Sequence, residues 1–290
     1  LKDATDLAAA LGHDAERARS AAIRDEFRRD LYASLDRAMA ERKIDFIPGS
    51  VELGDFDATS TTIAVAPVGE LARLPAAALG RTFDRYYTQV EGRLDGTKKW
   101  DGYTPYELRT VGTFVRLGQR ARANRLLEGF LADQRPPAWN EWAEVVWHAP
   151  RKPEFIGDMP HTWVGSDFVR SALDMFAYDR ESDSALVVAA GVPAAWTTEA
   201  PGVVVRGLRT PYGALDLTVR AEGDSLRVRV SGLTRVPPGG VVVRPPLRAG
   251  AARFTVEIDG VAVGGVHRDA ASGEAEVVVR RLPATVTFRY

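Results

Sequence analysis

Cysteine is absent from the 290 residues. That removes disulfides, thiolate zinc sites and a cysteine nucleophile together. It leaves the compartment open, with a periplasmic or secreted setting slightly favoured over the cytoplasm. An excess of one charge is also lacking, because 38 basic against 39 acidic residues give a net charge of -1. Without a basic surplus to neutralise a phosphate backbone, no nucleic-acid partner is expected. No apolar run approaches the roughly 20 residues that span a bilayer, which predicts a soluble chain with no membrane span. Histidine is scarce, at four residues, and His148 and His161 stand too far apart to form a recognisable zinc motif. G-x-S-x-G elbows, P-loops and dinucleotide fingerprints do not occur, so neither a metal nor a cofactor is expected. The chain opens on Leu1 rather than Met, without a signal-peptide pattern. The expectation is a piece of a longer protein whose missing N-terminal part is its first partner.

What is present is 45% hydrophobic and 27% charged, ordinary for a globular protein. The length favours two domains. Up to about residue 180 the apolar spacing is helical. From Asp14 to about Lys43 a stripe of Ile23, Phe27, Leu31, Leu35 and Met39 recurs at i+4. Thr104-Pro105-Tyr106-Glu107 reads as a capping box with Pro at the first helical position. The stripe Leu108, Val111, Val115 follows, Gly118 ends it, and a second helix runs from about Arg120 to Asp133. Residues 68–92 are expected to give another helix pair, and His161 to Tyr178 one more helix. After Asp179 the period switches to 2. Leu215, Leu217 and Val219 alternate with polar residues, as do Leu226, Val228 and Val230, and Asp259-Gly260 marks a hairpin. The predicted class is α+β multidomain: α/α-toroid-type helical hairpins over residues 1–182, then an antiparallel β-sandwich over residues 183–290.

Five of the six tryptophans, Trp100, Trp139, Trp142, Trp147 and Trp163, lie between positions 100 and 163. Large rigid aromatics bind the apolar C–H faces of sugar rings at low entropic cost. Alternatively, they plug the joints between helix hairpins. Carboxylates lie among them. Glu141 and Glu144 stand three apart, so a helical turn would put both on one face. A carboxylate beside apolar rings loses solvation and holds or takes a proton near neutrality, as glycosidic cleavage requires. The other reading makes one Glu a cap and leaves the other solvated. Asp158 and His161 flank the last tryptophan of the group. The loop around Asp55 and Asp57 is rich in hydroxyls and suits sugar hydrogen bonding. The same acids could instead cap the next helix, and no EF-hand pattern supports calcium. Trp100, Asp101 and Tyr103 stand at a helix entrance, as subsite residues or as a hydrophobic staple.

These pieces resemble the C-terminal half of a six-hairpin (α/α)6-toroid glycoside hydrolase of the α-L-rhamnosidase type, followed by its β-sandwich. Leu1 to Leu35 is similar to a helix pair of such enzymes. Trp139 to Glu144 resembles their loop carrying the general base, and Ala185 to Gly213 the opening of their C-terminal β-domain. GDMPHTWVGSDF also resembles bacterial toroid proteins of unassigned activity. The resemblance implies an inverting glycosidase acting on an oligo- or polysaccharide. Glu144 would be its base, by its Trp-x-Glu context, with Glu141 as the alternative. Trp139, Trp142, Trp147 and Trp163 would line subsites. The general acid would sit on hairpins outside this chain. Two rivals remain: a polysaccharide lyase using Tyr103, His148 or His161, and a non-catalytic carbohydrate-binding or scaffold module.

Overall fold

The computed structural model describes residues 1–134, 137–149, 157–248, 253–264, 266–268 and 272–290. They form two compact units, Leu1–Thr61 with Arg73–Thr88, and Thr62–Ala72 with Gln89–Tyr290.

In the first unit, α1 (Lys2–Ala10) and α2 (Asp14–Arg42) make a hairpin turned at Gly12. α2 stops where Lys43 turns left-handed and Ile44 N–H returns to the Met39 carbonyl. Its apolar stripe splits: Leu35 is buried, whereas Ile23, Phe27 and Leu31 are exposed. The hydroxyl-rich loop expected around Asp55 and Asp57 turns helical from Ala58 on, as α3 (Ala58–Val65), whose end from Thr62 on belongs to the second unit. Asp57 starts that helix, accepting the Ser60 N–H at 3.0 Å and also the Ser60 hydroxyl. Residues 68–92 yield one helix, α4 (Ala76–Leu94), instead of a pair, and its end from Gln89 on belongs to the second unit.

In the second unit, β1 (Gly102–Tyr103) precedes a 3₁₀ turn, Pro105–Leu108, which leads into α5 (Arg109–Arg116). The capping box predicted there does not form. The Thr104 hydroxyl makes no cap bond, and Glu107 turns away to grip Arg93 with both oxygens, at 3.1 and 2.7 Å. After Gly118 comes α6 (Arg120–Ala132), then β2 (Val146–Trp147) and α7 (Thr162–Phe176). α5 and α7 run parallel, because Arg109 meets Asp167 and Arg116 meets Asp174, each pair 58 positions apart. Gly112 and Ser171 let the two helices approach closely, with the Ser171 hydroxyl donating to the Leu108 carbonyl at 2.9 Å.

The strands that follow are β3 (Ala177–Arg180), β4 (Ala185–Val188), β5 (Val203–Thr210), β6 (Gly213–Glu222), β7 (Ser225–Leu233), β8 (Val241–Val243), β9 (Thr255–Ile258), β10 (Val261–Ala262), β11 (His267–Arg268), β12 (Ala275–Val279) and β13 (Ala284–Arg289). They form a six-stranded sheet, β10-β9-β13-β7-β6-β5, and a five-stranded sheet, β11-β12-β8-β4-β3. Alternate residues of both sheets, among them Leu217, Val228, Val286, Phe288, Val188, Val243 and Val277, make one shared core. The fold is therefore α+β, helices followed by a sandwich, as the change of period predicts. One pair departs from antiparallel pairing, since β4 and β8 run parallel. Both strands are buried on each face. Val187 and Val242 point away from the shared core yet are fully buried, and Arg116 and Arg120 reach the carbonyls of Asp179 and Ala190. Helices thus cover the back of this sheet, the setting parallel strands require. Among the described residues no helix is long and apolar enough to cross a membrane.

Candidate functional site

Three connections meet at one end of α5, α6 and α7. β1 pairs with β2, Gly102 opposite Trp147 and Tyr103 opposite Val146, and His148 N–H donates to the Asp101 carbonyl at 2.7 Å. The segment from Trp142 to Glu144 is tied in turn to the entrance of α7. Glu144 N–H donates to the Asp158 carbonyl at 3.3 Å, and His161 N–H to the Trp142 carbonyl at 3.1 Å. Gly157 has φ of +69°, and a Cβ there would run into the Glu144 side chain. Only glycine fits this crossing, which fixes where the Glu144 carboxylate lies.

The centre of the cluster is Tyr106, carried by the 3₁₀ turn. Its hydroxyl and His161 Nε2 are 2.6 Å apart, and the Asp158 carboxylate lies 3.7 Å from His161 Nδ1. The rings of His161 and Trp163 meet Tyr106 edge-on, at centroid distances of 5.5 and 5.4 Å. Arg109 lies over Tyr106 at 4.9 Å and Trp163 at 5.7 Å, while its Nε donates to Asp167 at 2.6 Å. Asp167 takes a second bond from Arg170, at 2.9 Å. Partial burial raises the Tyr106 phenol above its usual pKa. The carboxylates of Glu144, Asp167 and Asp158 add to the rise, and Arg109 opposes it. Tyr106 thus lies between these carboxylates and the Arg109 guanidinium, beside the exposed ring of Trp163.

A second aromatic group stands behind it. Trp100 meets His148 and Tyr103 edge-on at 4.8 and 5.7 Å, and Arg93 lies 4.2 Å over Tyr103. Burial pushes the Tyr103 phenol well up, with the Asp133 carboxylate contributing.

Of the residues singled out by sequence, Glu144, Asp158, His161 and Trp163 come together around Tyr106. Trp142 does not present a stacking face: it is 2% exposed, its Nε1 donates to the Phe130 carbonyl at 2.9 Å, and its ring packs on Phe168. It is the joint-filling tryptophan of the alternative. Trp147 is half-buried and lies on the backbone of Gly102, where a Cβ would come within 2.8 Å of its ring. Trp139 and Trp163 are each 59% exposed. Glu141 is half-buried on the loop that holds Glu144, and Asp101 is exposed. Asp55 accepts the Ser50 N–H at 3.0 Å and Asp57 caps α3, so both carboxylates already serve the first unit. Sequence reasoning placed Tyr106 only at the end of the aromatic stretch at a helix entrance, and it missed Arg109 and Asp167. Tyr106 sits one residue after the proline of a recognised helix start. Arg109 is three further along on the same face, and that spacing was the available signal. Among the described residues, no group of three His, Asp or Glu is arranged to hold a metal ion.

No family model and no curated protein sequence matches the chain. Among solved structures it is similar to an α-L-rhamnosidase from Dictyoglumus thermophilum, at 12% identity and a TM-score of 0.39, over 99% of this chain and 30% of that one. It is also similar to a β-L-arabinofuranosidase from Geobacillus stearothermophilus T6, at 15% identity and a TM-score of 0.30, over 63% of this chain and 29% of that one. The chain thus spans less than a third of the length of either.

Proposed function

We propose that the chain is part of a carbohydrate-active enzyme, working in the periplasm or outside the cell, that hydrolyses a glycosidic bond with inversion. Residues 1–182 are its toroid-like helical part, and residues 183–290, completed by β3, its sandwich. Glu144 is the base that activates water, Trp163 and Trp139 offer ring faces to sugar, and Tyr106, His161 and Asp158 contact sugar hydroxyls. The observation behind this is the gathering of Asp158, His161 and Tyr106 beside the exposed ring of Trp163, on the segment that also holds Glu144. Glycosidic cleavage passes through an oxocarbenium-like state carrying positive charge, which nearby carboxylates stabilise.

The lyase alternative has a specific observation in its favour, the contact of Tyr106, His161 and Arg109. Charge argues against it. Elimination next to a uronate builds negative charge and needs a cation free to meet the carboxylate, whereas Arg109 is committed to Asp167 at 2.6 Å.

The test is turnover of a panel of aryl glycosides by the full-length protein. Glu144→Gln should lower kcat by about 10²–10⁴-fold, the usual cost of losing a general base, with KM little changed. Trp163→Ala should raise KM instead, at unchanged melting temperature. Full activity of Glu144→Gln removes Glu144 from the mechanism, and loss of activity only with Tyr106→Phe would revive elimination.

A further inference from the structure

The solvent face of the six-stranded sheet carries charge in a pattern that the sandwich does not need. Along β6 and β7 the outward positions alternate with core residues, and four of the five outward arginines of β5, β6 and β7 gather in one place: Arg206, Arg220, Arg227 and Arg229. They line a shallow concavity of about 550 Å³ together with Thr218 and Thr285. Arg220 stands directly opposite Arg227 across the β6–β7 ladder. Like charges placed so weaken a sheet. Glu222 sits between them, 3.7 Å from Arg220 and 3.2 Å from Arg227, and offsets one of the two. Asp216, the other acid of the concavity, is engaged by the Gly207 N–H at 2.8 Å. Among the described residues Arg206 and Arg229 have no acidic partner. Arg229 is instead flanked by Thr218 on one neighbouring strand and Thr285 on the other. The patch is positive in a chain whose net charge is -1.

We infer that this face binds an acidic polysaccharide, one whose sugars bear carboxylates. The guanidinium fork matches a carboxylate with two parallel bonds. Arg227 and Arg229 are two residues apart on one strand, about 7 Å, and neighbouring strands are about 4.8 Å apart, so the arginines form a grid that one extended chain can cross. Thr218 and Thr285 add hydroxyl partners for sugar hydroxyls. Single-stranded nucleic acid is the competing polyanion, and it requires aromatic side chains on which bases stack. The concavity is lined by none. The site is independent of Glu144 and concerns binding, not turnover.

Affinity electrophoresis tests it, with polygalacturonate in the gel and dextran as the neutral control. The wild-type protein should be retarded by polygalacturonate and not by dextran, with retardation falling as salt screens the contacts. Arg227→Gln/Arg229→Gln should weaken binding at least tenfold without lowering the melting temperature, because an opposed like-charge pair is relieved. Arg206→Gln, on the β5 bulge outside the regular ladder, should weaken it severalfold and serves if the double variant does not fold. Glu144→Gln should bind as wild type. Unretarded wild-type protein overturns the proposal, as does equal retardation of well-folded arginine variants. Tighter binding of an oligothymidylate than of polygalacturonate at the same salt would assign the face to nucleic acid instead.

Discussion

α5 and α7 make the same ion pair twice. Arg109–Asp167 and Arg116–Asp174 are related by seven residues on both helices, two turns on each. Both pairs are largely buried. What differs is the company. At Asp174 one guanidinium takes both oxygens, at 2.7 and 2.9 Å, and its third nitrogen donates to the Asp179 carbonyl while the group lies over the buried Tyr178. Asp179 and Tyr178, which the same guanidinium meets, belong to the junction with the sandwich. At Asp167 the two oxygens go to different arginines, and the flat face of Arg109 is left to Tyr106 and Trp163. An Arg–Asp pair is thus no sign of function by itself. The groups stacked on it decide whether it braces a fold or shapes a site.

The largest effects should come from breaking one end at a time. Asp174→Leu leaves Arg116, which cannot lose its proton, buried without its hydrogen-bonded carboxylate and with only Asp179 as countercharge. A cost of about 3–5 kcal/mol is expected, and adding Arg116→Met should recover most of it. Asp167→Leu should cost less, because Arg109 keeps its two aromatic faces, and should show instead as lost activity. Urea denaturation of the four proteins separates the cases. Equal costs at the two ends would abolish the distinction.

A smaller effect is expected midway between the pairs. A Cβ on Gly112 would stand 3.0 Å from the Asp174 carboxylate and 3.2 Å from the Ser171 hydroxyl. Overpacking of about 1–3 kcal/mol is partly offset by the better helix propensity of alanine, about 1 kcal/mol. Gly112→Ala should therefore destabilise by about 1 kcal/mol. Stabilisation would show that α5 and α7 have room to separate.

Much of this architecture is legible in the chain, and its limits have physical reasons. The period-2 runs of β6 and β7 are readable because one face of each meets water. β4, Ala185–Val188, is buried on both sides, so no alternation betrays its direction and its parallel pairing to β8 stays hidden. Glu144, His161 and Trp163 announce themselves as acid, base and ring in one short stretch. Trp142 and Trp163 are the same residue type in neighbouring segments, and only the bond to the Phe130 carbonyl and packing against Phe168 make one of them core. Thr104 to Glu107 has the form of a capping box, but Arg93, from another helix, captures the glutamate. A spacing of 58 residues carries no local signal, so the repeated Arg–Asp pair could not be read in advance.

The smallest expected effect concerns pH, and it sharpens the contrast between a buried and an exposed acid. Burial raises Asp174 above its usual pKa despite Arg116. A raised carboxyl favours its protonated form in the fold, so its contribution is complete below the ordinary value of 3.8 and is lost as pH rises through the folded value. Glu257, on the open sheet, is the reverse. Its hydrogen bond to Arg289 holds it below the usual 4.5, so its contribution is present above that value and lost as pH falls through the folded one. Melting temperatures between about pH 3 and 6 should therefore move in opposite directions. The wild-type protein should lose ground against Asp174→Asn as pH rises, and gain ground against Glu257→Gln. The Glu257 slope should be slight, because solvent screens an exposed pair. Parallel slopes in the two series would mean that Arg116 outweighs burial at Asp174, and that the junction pair is held by its charges rather than carried at their expense.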